Sequence, residues 1–256
     1  MVKKIQFKNN HHQRIVGLLN LPKGKPPFPA VVICHGFKGH KEQMHLLSLA
    51  RELAKNGILA FRFDFGNGIG ESYGRIEDIK FGQYLNDLKA AVDFLSRQKI
   101  VDQKRIGLIG HSLGGQLIMH YAPSDKRIKA AADLAGVINR KADFGRMYKY
   151  KEAEKTGYFI AYSRSKRRFL KIKFEYLKDL LNYNTVEKIK KLKIPVLIVH
   201  GTKDDSVPMI HSRIAYRLLS GPKKLAIIKN APHTWKQPKY YKKINPVVTD
   251  WFIKYL

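Results

Sequence analysis

The feature that most constrains this chain is a serine enclosed by glycines at the point where an apolar run ends. Residues 106–116 read IGLIGHSLGGQ, and they place Ser112 between Gly110 and Gly114. Glycines two residues before and two residues after a serine suit a backbone that turns sharply and leaves little room for side chains. This spacing is typical of a nucleophile elbow, in which a strand ends at a strained residue and a helix starts at once. The motif therefore predicts that Ser112 stands exposed at one edge of a sheet.

The rest of the chain has the size and the pattern to build such a sheet. It has 256 residues, of which 44% are hydrophobic, so it is long enough to bury one sizeable core. Strand and helix patterns alternate, which predicts a mostly parallel sheet with helices on both faces. The pattern opens with a hairpin over 3–8 and 14–21, and it closes with a helix from about Val247. A further helix is predicted within 169–181, where apolar residues fall on one side and lysines on the other.

Two later loops carry the groups that a serine nucleophile needs. A serine hydroxyl is a weak nucleophile at neutral pH, and it requires a base and an acid that orients the base. Downstream of Ser112, a strand over 195–200 runs into a loop with two adjacent carboxylates, Asp204 and Asp205, and the next strand ends shortly before His233. Because the carboxyl ends of parallel strands meet at one edge of a sheet, we expect these groups to lie close together.

One other histidine competes with His233 for the role of base. His211 falls within a helical pattern, where a partly solvated side chain is the default expectation, whereas His233 follows a strand and is expected to face the site. His35 and His111 border glycines in motif loops, and we predict that they make structural hydrogen bonds that fix those loops. Cys34 ends an apolar strand and is predicted to be inert.

Five segments in a fixed order carry a resemblance to a known group of enzymes. They read VVICHGFKGHKE, FRFDFGNGIGES, GLIGHSLGG, IPVLIVHGTKDDSVP and NAPHTW. With these segments the chain resembles α/β-hydrolase-fold serine hydrolases, in particular the carboxylesterases of the cinnamoyl/feruloyl esterase and monoacylglycerol lipase kind. The resemblance runs through most of the chain outside one insertion. It implies an α/β-hydrolase fold, with a mostly parallel sheet, helices on both faces and a helical cap.

The resemblance also implies which residues act. The family spacing Gly-x-x-Asp-x-x-Val-Pro matches with its carboxylate at Asp204, which leaves Asp205 to cap a helix or meet solvent. The implied catalytic residues are therefore Ser112, Asp204 and His233. The backbone N–H groups of Phe37 and Leu113 are implied as the oxyanion hole, because two preorganised amides must face the oxygen that becomes negative.

The resemblance divides the chain into a core over 1–136 and 187–256 and a cap, or lid, over 137–186. The insertion is rich in aromatic residues, which predicts a lid over an apolar or aromatic acyl site, although these rings also suit simple packing of the cap on the core. One departure from the family is visible over 64–72, where the segment DFGNGIGES holds one extra residue.

The charge of the chain is strongly basic. The sequence has 49 Lys and Arg against 20 Asp and Glu, a formal net charge of +29, and the excess is densest over 140–193. Such an excess fits a surface for anionic partners, and it also fits a basic solvated surface with no specific partner. No nucleic-acid-binding signature accompanies the charge, which favours the second interpretation.

The sequence thus predicts a serine carboxylesterase that hydrolyses small to medium acyl or aromatic-acid esters through an acyl-enzyme, with no cofactor and no metal. The alternatives are a serine aminopeptidase or acyl-peptidase on the same fold, and a non-catalytic basic protein that binds nucleic acid or anionic membrane. The expected partner is a small-molecule ester, with weak contact to anionic surfaces and homodimer formation as further candidates. The single cysteine and the lack of an apolar leader predict a cytoplasmic location.

Overall fold

Ten strands are described in the computed structural model, which covers residues 1–138, 147–163 and 165–256. The strands are β1 (Val2–Lys8), β2 (Arg14–Asn20), β3 (Phe28–Cys34), β4 (Leu59–Phe63), β5 (Val101–His111), β6 (Ile128–Leu134), β7 (Tyr158–Ser163), β8 (Arg168–Lys173), β9 (Val196–Gly201) and β10 (Lys223–Ile228). The helices are α1 (Met44–Lys55), α2 (Phe81–Ser96), α3 (Leu113–Tyr121), α4 (Met147–Thr156), α5 (Glu175–Leu181), α6 (Thr185–Ile189), α7 (Ile210–Leu218) and α8 (Pro238–Tyr255).

Eight of these strands form one sheet in the order β1-β2-β4-β3-β5-β6-β9-β10. The predicted opening hairpin is confirmed, since β1 and β2 pair antiparallel from Val2 opposite Asn20 to Lys8 opposite Arg14. From β4 to β10 every neighbouring pair is parallel. The carboxyl ends of β5, β9 and β10 therefore open at the same edge of the sheet, where parallel α/β folds place their chemistry.

Helices cover both faces of this sheet, as the alternating pattern predicts. Successive side chains of a strand point to opposite faces. On β3, Val31 and Ile33 pack in a buried cluster with residues of α1 and α8, whereas Ala30 and Val32 pack in a second cluster with residues of α2 and α3. The mostly parallel sheet between two apolar layers is the predicted α/β-hydrolase architecture.

Two helix predictions were wrong in detail. Within 169–181, the structure has β8 up to Lys173 and the helix α5 only after it. Side chains on β8 alternate between exposed and buried along FLKIK, which is the period of a strand and not of a helix. The terminal helix begins at Pro238, well before Val247, and Pro246 lies inside it. Buried residues on both sides of Pro246 hold α8 against the sheet, so packing outweighs the hydrogen bond that proline removes.

The insertion between β6 and β9 contains α4, the antiparallel pair β7 and β8, and the short helices α5 and α6. The predicted cap over 137–186 includes residues 139–146 and Arg164, which lie outside the described residues. The boundaries of the cap remain a prediction.

A buried carboxylic acid lies beneath the helix that follows the serine motif. Asp133 on β6 is fully buried, and a Cβ added to Gly115 of α3 would come within 2.1 Å of its Oδ1. Burial raises the pKa of Asp133 from 3.8 to about 7, since a carboxylate is poorly stabilised away from water. The native protein therefore keeps a proton on Asp133 that the unfolded chain releases between about pH 4 and pH 7.

The contribution of Asp133 to stability should fall as the pH rises through that window, because the native state binds more protons there than the unfolded state. We expect Asp133→Asn to remove this dependence. We measure the free energy of unfolding of both proteins with urea. As the pH rises from about 5 to about 8, the difference between them should shift in favour of the variant by at least about 1 kcal/mol. Parallel stability curves for the two proteins over this range would contradict the assignment.

Candidate active site

The serine motif folds into a strained turn between β5 and α3. Ser112 has φ 57° and ψ −117°, a conformation that non-glycine residues rarely adopt, and α3 starts at the next residue. Its N–H donates to the carbonyl of Leu134 at 2.9 Å. A Cβ added to Gly110 would come within 2.1 Å of the carbonyl oxygen of Gly114, so the flanking glycines allow the backbone to close on itself. Ser112 remains partly exposed at the carboxyl edge of the sheet.

A histidine and a carboxylate meet at the same edge. His233 lies in the loop after β10, and its Nδ1 is 2.8 Å from Oδ2 of Asp204 in the loop after β9. The carbonyl of His233 accepts a hydrogen bond from Nε2 of His111, the residue before Ser112, at 2.9 Å. This contact joins the loop that carries the histidine to the end of β5.

Asp205 and His211, the alternatives to Asp204 and His233 in the sequence, have different surroundings. Asp205 is exposed and accepts a hydrogen bond from the hydroxyl of Ser206 at 3.0 Å. His211 is fully buried in α7, where its Nδ1 accepts the N–H of Ile138 at 3.2 Å. The expectation of a partly solvated His211 was therefore wrong, because α7 turns this residue toward the protein and not toward water.

The carboxylate of Asp204 is held by four donors. Oδ1 accepts the N–H groups of Ser206 and Val207 at 2.9 and 2.8 Å, and Oδ2 faces His233 and also Nε2 of His200 at 3.3 Å. Burial alone would raise the pKa of Asp204, but the hydrogen bonds from His200 and His233 outweigh burial and hold that pKa well below its usual range. The carboxylate is therefore ionised at every pH at which the protein would work.

Sequence reasoning missed His200. It is fully buried at the end of β9, with Nε2 2.9 Å from the carbonyl of Val207 and Nδ1 2.6 Å from the hydroxyl of Ser212. Because Nε2 faces the carbonyl of Val207 and the carboxylate of Asp204, which only accept, Nε2 carries a proton. The available signal was a polar residue that ends an otherwise apolar strand directly before the carboxylate loop.

The loop after β3 lies against Ser112. A Cβ added to Gly36 would stand 3.0 Å from the Cβ of Ser112, so Phe37 follows immediately beside the elbow. His35 is fully buried beneath this loop: its ring bonds to the carbonyl of Gly36 at 2.9 Å and accepts the N–H of Phe65 at 3.2 Å. Burial lowers the pKa of His35, so the ring stays neutral and bridges the two loops.

A buried ion pair fixes the segment that carries the extra residue. Lys41 Nζ is 2.7 Å from Oδ2 of Asp64, both side chains are buried, and Asp64 also accepts the N–H groups of Lys41 and Glu71. The extra length closes into a turn at Asn67, which has φ 48° and donates its N–H to the carbonyl of Tyr73 at 2.7 Å. The loop over 64–72 is thus tied to the segment that follows Phe37.

The insertion reaches this region through aromatic contacts. The ring of Phe37 stacks on Tyr176 with centroids 5.4 Å apart and lies 6.5 Å from Phe159 of β7. Nζ of Lys38 donates to the carbonyl of Tyr162 at 2.8 Å. The predicted site therefore has aromatic side chains of the insertion beside it.

Three further observations on the described part of the chain concern metal ligands, the cysteine and helix length. Residues 1–138, 147–163 and 165–256 contain no cluster of three or more His, Cys, Asp or Glu that could hold a metal ion. Cys34 is fully buried, and burial raises the pKa of its thiol. None of the helices in these ranges is long and apolar enough to cross a bilayer.

The fold and this edge of the sheet define an α/β-hydrolase-fold serine hydrolase, which confirms the enzyme class predicted from the sequence. The model of the prolyl oligopeptidase family matches residues 51–256, and the chain belongs to that family.

Similar proteins extend over most of the chain. An uncharacterized 31.7 kDa protein of the traX-finO intergenic region of Escherichia coli is 28% identical, over 92% of this chain and 94% of that protein. The mitochondrial palmitoyl-protein thioesterase ABHD10 of Bos taurus is 26% identical, over 84% of this chain and 69% of that protein. The structure of Est1E from Butyrivibrio proteoclasticus with bound ferulic acid superposes with a TM-score of 0.81 at 24% identity, over 98% of each chain. That likeness bears out the fold.

Proposed function

We propose that the protein is a serine carboxylesterase in which Ser112 is the nucleophile, His233 the base and Asp204 the acid that orients the base. The observation that carries this proposal is the hydrogen bond between Asp204 and His233, at the same sheet edge as the strained turn at Ser112. A serine on such a turn, a histidine and an ionised carboxylate together supply the nucleophile, the base and the orienting charge of acyl transfer.

In the proposed reaction, the Ser112 hydroxyl oxygen bonds to the ester carbonyl carbon while its proton passes to Nε2 of His233. Nδ1 of His233 faces Asp204, which fixes the tautomer and stabilises the cationic ring that forms. Collapse of the tetrahedral intermediate breaks the bond to the alcohol, which leaves with the proton from His233. Water then attacks the acyl-enzyme by the same route, releasing the acid and restoring Ser112.

The oxyanion of both intermediates needs two donors, and we assign them to the backbone N–H groups of Phe37 and Leu113. Leu113 is the first residue of α3, and the first N–H groups of a helix have no acceptor within it. The contact of Gly36 with Ser112 supports a place for the Phe37 amide on the other side of the nucleophile. Loss of one such donor typically costs about a hundredfold to a thousandfold in rate.

We propose small to medium acyl or aromatic-acid esters as substrates. The rings of Phe37, Phe159 and Tyr176 beside the elbow favour an apolar or flat acyl group. The likeness to Est1E with its bound ferulic acid and to a palmitoyl-protein thioesterase supports acyl transfer and adds thioesters to the substrates worth testing. Homodimer formation and a cytoplasmic location also remain predictions.

Membership of the prolyl oligopeptidase family favours a peptidase as the second candidate. A peptidase that acts on free amino termini needs carboxylates near the nucleophile to bind the amine. In the described part of the insertion, Glu175 lies beside Lys178, and Asp179 accepts the N–H of Gly82. These contacts engage the two carboxylates of α5, the helix whose Tyr176 stacks on Phe37 beside the predicted site, so we place the peptidase second.

A substrate panel separates these functions. It contains p-nitrophenyl esters from acetate to decanoate, methyl ferulate, an acyl thioester and the p-nitroanilides of alanine and proline. Because p-nitrophenyl esters are activated and report any reactive serine, methyl ferulate and the thioester decide the class. We expect turnover of at least one of these two and little of the anilides. Faster turnover of an anilide would establish the peptidase, and no turnover of any compound would favour a non-catalytic binding protein.

A further inference from the structure

The hairpin formed by β7 and β8, residues 158–163 and 168–173, has two faces of different character. Its register pairs Phe159 with Ile172 and Ala161 with Leu170, and these side chains pack against the main buried cluster. Side chains alternate along each strand, so the intervening residues of both strands form the opposite face. We call this opposite face the outer hairpin face, and its residues are Tyr158, Ile160, Tyr162, Phe169, Lys171 and Lys173.

The outer hairpin face leaves large apolar side chains in water. Phe169 is 71% exposed, Ile160 is 49% exposed and Tyr162 is 46% exposed. Tyr162 and Phe169 are directly opposite in register, with ring centroids 5.1 Å apart, and Ile160 lies two residues along the same strand. Exposed apolar side chains scattered singly are normal on a protein, but a contiguous group marks a surface for a partner.

Uncompensated positive charge borders these side chains. Lys166 and Arg167 are exposed at the connection between the two strands, and neither forms an ion pair with a carboxylate in the described ranges. Glu77, which lines the same surface groove as Lys166 and Arg168, pairs instead with Arg75. On the outer hairpin face, Lys173 is neutralised by Asp78, whereas Lys171 lies over the ring of Tyr158 at 3.8 Å.

The hairpin is also fixed to the predicted catalytic region. The backbone carbonyl of Tyr162 accepts the hydrogen bond from Lys38, and the inward ring of Phe159 faces Phe37. A partner held on the outer hairpin face would therefore lie only the thickness of one hairpin from the loop beside Ser112. A surface that supplies acyl groups is the kind of partner that would use this position.

From these observations we propose that the outer hairpin face docks on an anionic lipid surface, with Phe169, Tyr162 and Ile160 entering the interface and Lys166 and Arg167 contacting lipid phosphates. Aliphatic and aromatic side chains within a basic border are what such a surface binds, since the apolar groups partition into the interface and the cations meet its negative potential. Nucleic acid could pair its phosphates with the cations and stack its bases on the rings, but it offers no apolar environment to Ile160. The net charge of +29 draws the whole protein toward the same surface.

Vesicle flotation tests the proposal with the full chain, and it needs no hydrolysis, so its outcome is independent of the proposed esterase activity. The probes are vesicles of phosphatidylcholine alone and of phosphatidylcholine with phosphatidylglycerol. We expect binding to the anionic vesicles only. Phe169→Ser should weaken it by about tenfold, and the combined change Lys166→Gln and Arg167→Gln by at least about tenfold.

The matched control removes the same number of positive charges at the amino edge of the main sheet, which is the edge opposite Ser112. Lys99 and Lys104 are exposed near the amino end of β5, and their combined replacement by glutamine should leave vesicle binding within about twofold. Thermal unfolding of each variant shows that it is folded.

Three results would overturn the proposal: equal binding to neutral and anionic vesicles, equal losses in the hairpin and control variants, or no vesicle binding by the wild type. Retention on duplex DNA that the hairpin variants lose, without vesicle binding, would assign the surface to nucleic acid instead.

Discussion

Replacement of Ser112 by alanine is expected to lower kcat/KM for ester hydrolysis by at least about a thousandfold. Such a loss corresponds to about 4 kcal/mol of transition-state stabilisation. The physical reason is that the variant has no oxygen to form the acyl-enzyme, while the fold and the proposed oxyanion amides remain. Initial rates on methyl ferulate and on the best p-nitrophenyl ester of the chain-length series measure the effect.

The matched control is Ser96→Ala at the end of α2, where the hydroxyl accepts a hydrogen bond from Arg127 just before the amino end of β6, at the opposite end of the parallel strands from Ser112. The hydroxyl of Ser96 donates to the carbonyl of Asp93, so this change removes a serine hydroxyl without touching the predicted site. It should keep kcat/KM within about twofold. A Ser112→Ala protein that retains more than about a tenth of the wild-type activity would show that the hydrolysis has another nucleophile.

The second large effect is expected at Asp204. Replacement by asparagine keeps the shape of the side chain and an oxygen that can accept the N–H groups of Ser206 and Val207. It removes the negative charge that faces Nδ1 of His233 and allows the ring to adopt the wrong tautomer. We expect kcat to fall by about a thousandfold to ten-thousandfold, with a much smaller change in KM.

Asp205→Asn provides the control for this prediction, because it makes the same chemical change one residue along the chain. Asp205 is exposed and contacts only the Ser206 hydroxyl among the contacts described, so kcat should stay within about twofold of the wild type. Equal losses of kcat in the two variants would mean that the conformation of the loop, and not the charge of the Asp204 carboxylate, determines the rate. A larger loss at Asp205 would transfer the role of the acid to that residue.

Much of the fold could be predicted because its signals are local. Apolar runs that alternate with helical patterns predicted the mostly parallel sheet with helices on both faces, and the glycines around Ser112 predicted the sharp turn that the structure has. Asp204 and His233 were singled out because each follows a strand, and parallel strands bring their carboxyl ends together. The structure brings these two side chains into contact, although they are 29 residues apart along the chain.

The parts that sequence reasoning missed depend on tertiary contacts. The position of His200 at the end of β9 hinted at a role, but the role itself follows from the loop and from α7, which bring the Val207 carbonyl and the Ser212 hydroxyl to its ring. The strand β8 was predicted as helix, since FLKIK is short and is followed by Leu177, Leu180 and Leu181, which fit a helical pattern. The terminal helix was predicted only from about Val247, yet the packing of α8 carries the helix through Pro246.

The insertion could also be predicted only in part, because the orientation of its rings depends on tertiary structure. Its aromatic residues predicted a lid, but the sequence did not separate the inward ring of Phe159 from the outward rings of Tyr162 and Phe169. That distinction requires the register of the hairpin, which no local pattern specifies. It matters here because the inward ring faces the predicted acyl site and the outward rings form the proposed lipid-binding face.

The central claim is that Ser112 is an activated nucleophile, and labelling with a fluorophosphonate followed by peptide mass spectrometry tests it most directly. The reagent forms a bond from phosphorus to an activated serine oxygen and releases fluoride, so it reports the nucleophile without any assumption about the substrate. We predict one modified site, Ser112, in the wild type, with no labelling of Ser112→Ala and much slower labelling of Asp204→Asn. Labelling at a different residue, or an unlabelled protein that still turns over esters, would contradict the account.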